Sequence, residues 1–173
     1  RFWQSTEIEI IGSKIYAAIG GNSAAGIGGS RYSNDISVDN KQISMVKIEE
    51  STVNATGGYY GAGIGAGYDT HCKANDANAV NHIEIINSTV NAQGGMYAAG
   101  IGTGYHSAAL TGSIDAASTI NAVSGETFYK DTYTTAQNVG YGVVDPAREF
   151  KDAVITFTVN GSVIATPYVG PKQ

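Results

Sequence analysis

What most constrains this chain is a repeat. Three segments align: Ala24-Ala25-Gly26-Ile27-Gly28-Gly29, Gly61-Ala62-Gly63-Ile64-Gly65-Ala66 and Ala98-Ala99-Gly100-Ile101-Gly102-Thr103, with Ile27, Ile64 and Ile101 spaced by 37 residues both times. Upstream, Ser51-Thr52-Val53-Asn54-Ala55-Thr56-Gly57-Gly58 matches Ser88-Thr89-Val90-Asn91-Ala92-Gln93-Gly94-Gly95, residues 13–21 are a looser copy, and residues 118–125 are a partial fourth. Further upstream again stand Ile8-Glu9-Ile10, Val46-Lys47-Ile48 and Ile83-Glu84-Ile85. A fixed period of this length marks a stacked array, in which each unit buries its apolar face only against its neighbours.

Each copy holds three short strand candidates. The first alternates apolar and charged residues, as a half-buried strand does. In the second, Val53 and Ala55 share one face while Thr52 and Asn54 share the other. The third puts Ala62, Ile64 and Ala66 on one face and glycine on the other. Gly57-Gly58 and Gly94-Gly95 supply turns, because glycine reaches positive φ cheaply. No stretch has a helical period with caps. One copy runs about 22 residues, from Ile83 to Gly104, the length of one three-sided coil. Inserts of unequal length (30–42, 68–81 and 105–112) fall between copies, where loops lie outside the stacked core.

These features predict an all-β chain: a short parallel β-helix of about four coils over residues 5–125, roughly 20 Å tall at strand spacing. Its inner columns are expected to be Ile10/Ile48/Ile85, Val53/Val90/Ile120 and Ile27/Ile64/Ile101. Residues 126–173 break the pattern. There Val154 to Val159 and Ser162 to Thr166 flank Asn160-Gly161, a strong hairpin signal. That region reads as a C-terminal β-hairpin cap, with Ile155, Phe157 and Val159 inward, or as the start of a following β module. Such a cap would cover one of the exposed strand edges at the ends of the stack.

Composition removes several function classes. Hydrophobic residues make up 42% and charged residues 14% of the 173, which supplies a core and argues against disorder. No apolar run approaches the ~20 residues of a membrane-spanning helix, so membrane insertion is not expected. A net charge of -5 with ten Lys plus Arg does not make a nucleic-acid footprint. Cys72, the single cysteine, forms no disulfide within the chain and reads as a loop thiol.

The fullest copy, Thr52-Val53-Asn54-Ala55-Thr56-Gly57-Gly58-Tyr59-Tyr60-Gly61-Ala62-Gly63-Ile64-Gly65-Ala66-Gly67, resembles the Gly-rich repeat of large surface proteins of gut-dwelling Gram-positive bacteria. Asn54, Asn91 and Asn121 stand where that repeat usually has Thr. The resemblance covers residues 5–125. It implies a right-handed coil and a secreted or wall-attached location, with an adhesin-like or carbohydrate-binding role and neighbouring domains in a longer chain. It implies nothing for residues 126–173.

Candidate sites follow from the columns. Gly26/Gly63/Gly100 and Gly28/Gly65/Gly102 are read as two outward rows without side chains, required either by close packing or as a flat shelf for a ligand. Tyr68 and Tyr105 follow that shelf 37 residues apart, and Tyr59, Tyr60 and Tyr97 precede it. Tyrosine combines an apolar ring face with a hydroxyl and suits both sugar stacking and protein contacts. These five are the candidate ligand residues, against the alternative that they pad the corner. The Thr52/Thr89/Thr119 and Asn54/Asn91/Asn121 ladders read as a solvated face. Asp69, His71, Cys72, Asp76 and His106 lack zinc spacing, so no metal and no cofactor is expected. Glu9 and Glu84 alternate with Lys47 as a surface ion ladder, and Asp35, Asp39 and Asp115 are scattered. Gly63-Ile64-Gly65-Ala66-Gly67 is no nucleotide loop, since no helix follows it. The leading function is a non-catalytic binding module for a glycan or a host or surface protein. The alternatives are a structural spacer of a larger surface protein and a small polysaccharide-cleaving enzyme.

Overall fold

The computed structural model describes residues 5–30, 42–68, 82–107, 110–126, 136–143 and 155–163. Among these there is no helix. The strands are β1 (Ser5–Ile11), β2 (Lys14–Ile19), β3 (Ile27–Gly28), β4 (Gln42–Glu49), β5 (Thr52–Thr56), β6 (Ile64–Gly65), β7 (His82–Ile86), β8 (Thr89–Gln93), β9 (Ile101–Gly102), β10 (Leu110–Ile114), β11 (Thr119–Val123), β12 (Val139–Gly140), β13 (Ile155–Val159) and β14 (Ser162–Val163). They form three sheets, ordered β1-β4-β7-β10-β13-β14, β11-β8-β5-β2 and β12-β9-β6-β3. Every pairing is parallel except that of β13 with β14. Consecutive strands thus visit three different sheets before the chain stacks on itself, an arrangement compatible with a parallel β-helix.

The expected columns pair in register: Ile10, Ile48 and Ile85, Val53, Val90 and Ile120, and Ile27, Ile64 and Ile101. Ile48, Ile64, Ile85, Ile101, Val53 and Val90 are fully buried in one cluster. Burying each such side chain favours folding by about 1.5–3 kcal/mol. In the first copy Ile8, Ile10, Ile15 and Ala18 are only partly covered, since β1 and β2 each have one described neighbour.

The third strand departs from the expectation. Rather than an extended segment, it is a tight loop closed by Ala62 N–H donating to the Ala66 carbonyl at 3.1 Å. The same closure recurs at Ala25 to Gly29 (2.8 Å), Ala99 to Thr103 (3.0 Å) and Gln137 to Tyr141 (2.9 Å). Ile64 sits at the loop's tip, in the core, and Gly65 follows at φ 129°, with Gly28, Gly102 and Gly140 alike. An L residue rarely adopts that conformation. Gly63, Gly65, Gly100 and Gly102 are buried, and a Cβ on Gly65 would collide with the Gly102 carbonyl. The glycine columns are therefore packed rows, and the flat outward shelf is not formed by them.

A serine column turns the chain from the first sheet to the second. Ser13 N–H donates to Ser51 Oγ at 3.0 Å, Ser51 N–H to Ser88 Oγ at 3.1 Å and Ser88 N–H to Ser118 Oγ at 3.1 Å. Ser51 and Ser88 hydroxyls in turn donate to the carbonyls of Glu49 and Ile86, both at 2.7 Å, so the corner's backbone groups are satisfied inside the fold. At the fourth corner Ser118 Oγ donates to Asp115, whose carboxylate also receives Asn87 N–H. The Ser118 hydroxyl, then the Asn87, Ser118 and Ala117 amides, hold the Asp115 carboxyl below the usual carboxylate range.

The outward polar columns are more organised than a solvated face. Asn91 Nδ2 donates to Asn54 Oδ1 at 2.8 Å and Asn121 Nδ2 to Asn91 Oδ1 at 3.4 Å. The Asn ladder ends where Asn54 Nδ2 meets the Tyr16 carbonyl at 3.2 Å, at the bulge between Ile15 and Ala18. The ion ladder differs as well. Glu9, Lys47 and Glu84 do lie in register, but Lys47 Nζ contacts Glu49 along its own strand at 2.7 Å. That hydrogen bond, with the charges of Glu49, Glu84 and Glu9, raises the Lys47 pKa against the opposing effect of desolvation.

Two strands beyond the recognised copies continue the sheets. β12 stacks on β9, Val139 opposite Ile101, and β13 stacks on β10, Ile155 opposite Leu110. Asn160 and Gly161, both at positive φ (51° and 77°), turn β13 into β14 as the Asn-Gly pair requires. Val159 packs on the core; the side chains of Ile155 and Phe157 lie outside the described residues.

Candidate functional site

The closed third-strand loop places the tyrosines. Because the chain enters and leaves that loop side by side, the residue before it and the residue after it become neighbours. Tyr60 and Tyr68 rings lie 5.1 Å apart, and their counterparts one copy on, Tyr97 and Tyr105, 4.8 Å apart. Between copies the rings stack: Tyr60 on Tyr97 at 6.3 Å and Tyr68 on Tyr105 at 5.6 Å, both with 20° between planes. The four rings form a block, held by Tyr105 N–H donating to the Tyr60 carbonyl at 3.0 Å.

The block is unevenly exposed. Tyr97 is buried, with Ala136 and Val143, and so serves as its interior padding. Tyr60, Tyr68 and Tyr105 are half-buried, while Tyr59 is 51% exposed and meets Tyr60 edge-on at 4.5 Å. His106 is buried beneath Tyr105, 3.6 Å between ring centroids. All five sequence candidates are thus together, and Tyr59 is their outermost ring.

Tyr59 also belongs to a second feature, which sequence reasoning missed. A shallow open groove of about 560 Å³ runs over Gly20, Gly57, Gly58, Gly94, Gly95 and Gly125, at the turns between the second and third sheets. Ile19 and Gln93 line it, from a column in which Ile19, Thr56, Gln93 and Val123 pair in register and are all exposed. Tyr59, Met96 and Glu126 complete the lining. The signal in the sequence was an apolar residue at the outward end of a second strand, Ile19, which is 75% exposed.

The floor amides are already engaged. Gly57 N–H donates to the Gln93 carbonyl at 2.8 Å, Gly58 N–H to that of Ala24 at 2.9 Å, Gly94 N–H to that of Val123 at 2.8 Å and Gly95 N–H to that of Gly61 at 2.9 Å. Gln93 Nε2 donates to the Gly94 carbonyl at 3.0 Å and the Ser124 carbonyl at 3.4 Å.

Asp69, His71, Cys72, Asp76, Asp35 and Asp39 lie outside the described residues. Among the described ones no three His, Cys, Asp or Glu side chains are grouped to hold a metal. No helix among them is long and apolar enough to cross a membrane. No family model, curated protein or solved structure matches the chain.

Proposed function

We propose that this chain is a non-catalytic binding module of a secreted or cell-surface, adhesin-like protein, and that it takes carbohydrate on its tyrosine face. The proposal includes a right-handed β-helix of about four coils, with the β13–β14 hairpin as its cap. The observation that carries it is the block of Tyr60, Tyr68 and Tyr105, half-exposed, with Tyr59 standing out beside it. Ring faces held at fixed spacing suit sugar rings, and a stacked aromatic contact contributes about 0.5–1.5 kcal/mol. Asp115, one of the acids that a hydrolase reading would draw on, already has structural partners in the Ser118 hydroxyl and the Asn87 amide. A glycan array checks this. Wild-type protein is expected to give hits that fall about five- to ten-fold in Tyr59→Ala with Tyr68→Ala. An array without hits would overturn the carbohydrate reading.

The spacer reading has one observation in its favour. β1, β2 and β3 each have a single described neighbour, so one end of all three sheets offers edges on which a stack continues. A full-length protein that binds through another domain, with binding unchanged by the tyrosine substitutions, would favour it.

A further inference from the structure

The glycine-floored groove has a chemistry of its own. Among the described residues its lining includes no Lys and no Arg, and Glu126 is the one charged side chain. Ile19, Tyr59 and Met96 supply its apolar side chains, and Gln93 a side-chain amide. The described lining offers no cation to pair with a carboxylate or sulfate, and a negative ligand would meet Glu126. An extended peptide seeking strand pairing finds no free donor at Gly57, Gly58, Gly94 or Gly95, whose amides are bonded within the fold. What remains is a ligand with apolar faces, hydroxyls and no charge.

Length and direction agree. The floor passes through Gly20, Gly57-Gly58, Gly94-Gly95 and Gly125, one step per copy, so the groove runs along the stacking direction for roughly 15 Å at strand spacing. That suits a chain of several sugar units better than a single one. Resting on the carbohydrate reading above, we infer that this groove binds a neutral glycan chain laid along the stack, with Tyr59 linking it to the tyrosine block.

Native gels containing laminarin, galactomannan or dextran, beside gels containing polygalacturonate or heparin, test it. The wild-type protein is expected to be retarded by at least one neutral polymer and by neither acidic one. Ile19→Lys and Gln93→Ala both change exposed positions, and thermal melts confirm that the variants are folded. Each is expected to weaken the neutral interaction about ten-fold. Retardation only by the acidic polymers overturns the neutral groove and leaves the carbohydrate reading standing. So does neutral retardation that survives both groove variants yet disappears in Tyr68→Ala, which lies off the groove. Retardation by none of the polymers, alongside array hits on short acidic or terminal sugars, overturns the groove alone. Silence on both gels and array overturns the two together.

Discussion

Two rows of glycine run along this stack, and they differ in which neighbour they face. In the row Gly28, Gly65, Gly102 and Gly140, a Cβ on each of the first three would strike the carbonyl of the glycine in the following copy. In the row Gly21, Gly58, Gly95 and Gly125, a Cβ on each of the last three would strike the carbonyl of the preceding one. The first row is additionally held near φ 130°, with Gly65, Gly102 and Gly140 buried; Gly58, Gly95 and Gly125 of the second lie on the floor of an open groove. One residue type thus serves two separate demands, a backbone conformation and a close approach. Only the second demand leaves a surface that a ligand can reach.

The comparison is broken most directly at Gly65. Gly65→Ala imposes both a collision and a disfavoured φ, and about 4 kcal/mol or more of stability is expected to be lost. Gly95→Ala imposes the collision alone and is expected to cost less. Denaturant melts of the two variants separate the demands; equal losses would mean that backbone conformation contributes nothing to the first row.

The neighbouring Ile64 asks whether the buried row matters for itself or only as the frame of the apolar column. Ile64 is fully buried between Ile27 and Ile101, whereas Ile27, at 8% exposure, has a described partner on one side. Ile64→Ala is expected to cost about 2–5 kcal/mol and Ile27→Ala less, since interior units of a stack have two interfaces and end units one. The reverse order in urea melts would mean that the first copy is not an end of the cooperative unit.

The polar ladder sharpens the contrast from the other side. Asn91 both donates to Asn54 and accepts from Asn121, yet it is only half-buried, so water can replace what is removed. Asn91→Ala is expected to cost about 1 kcal/mol. A loss as large as that of Ile64→Ala would overturn the assignment of the ladder to the outside.

Much of this was legible in the sequence. The 37-residue spacing of Ile27, Ile64 and Ile101 points to which residues stack, because a one-residue slip between parallel strands would set apolar side chains against the outward face of the neighbouring copy. The hairpin turn at Asn160-Gly161 was legible for the same kind of reason, a short motif with one good conformation. The third-strand loop was not, since alternating Gly and Ala are compatible both with a strand and with a closed turn at positive φ. Two stacked strands were hidden by degeneration. β10 has Gly112 opposite Ile83, and β12 reads Asn138-Val139-Gly140 where earlier copies have Gly-Ile-Gly. The tyrosines were found by spacing, but their division into buried Tyr97 and exposed Tyr59 depends on how the loop closes. The groove escaped because Gly57-Gly58 and Gly94-Gly95 read as turns, and a turn repeated in register becomes a furrow only once the copies are stacked.

The smallest effect is expected at Gly21, and it bears on the groove row most finely. Gly21 is the member of that row with no preceding described copy: nothing stands within 4 Å of where its Cβ would be, and its φ is not positive. An alanine there meets neither demand that holds the other glycines. It also narrows the conformations open to the unfolded chain, which favours the folded state. Gly21→Ala is therefore expected to be neutral or to stabilise by up to about 0.5 kcal/mol, against a clear loss for Gly95→Ala in the same row. Thermal melts of the two side by side would read the difference. If Gly21→Ala destabilises as Gly95→Ala does, some segment covers Gly21, and the row has no open end.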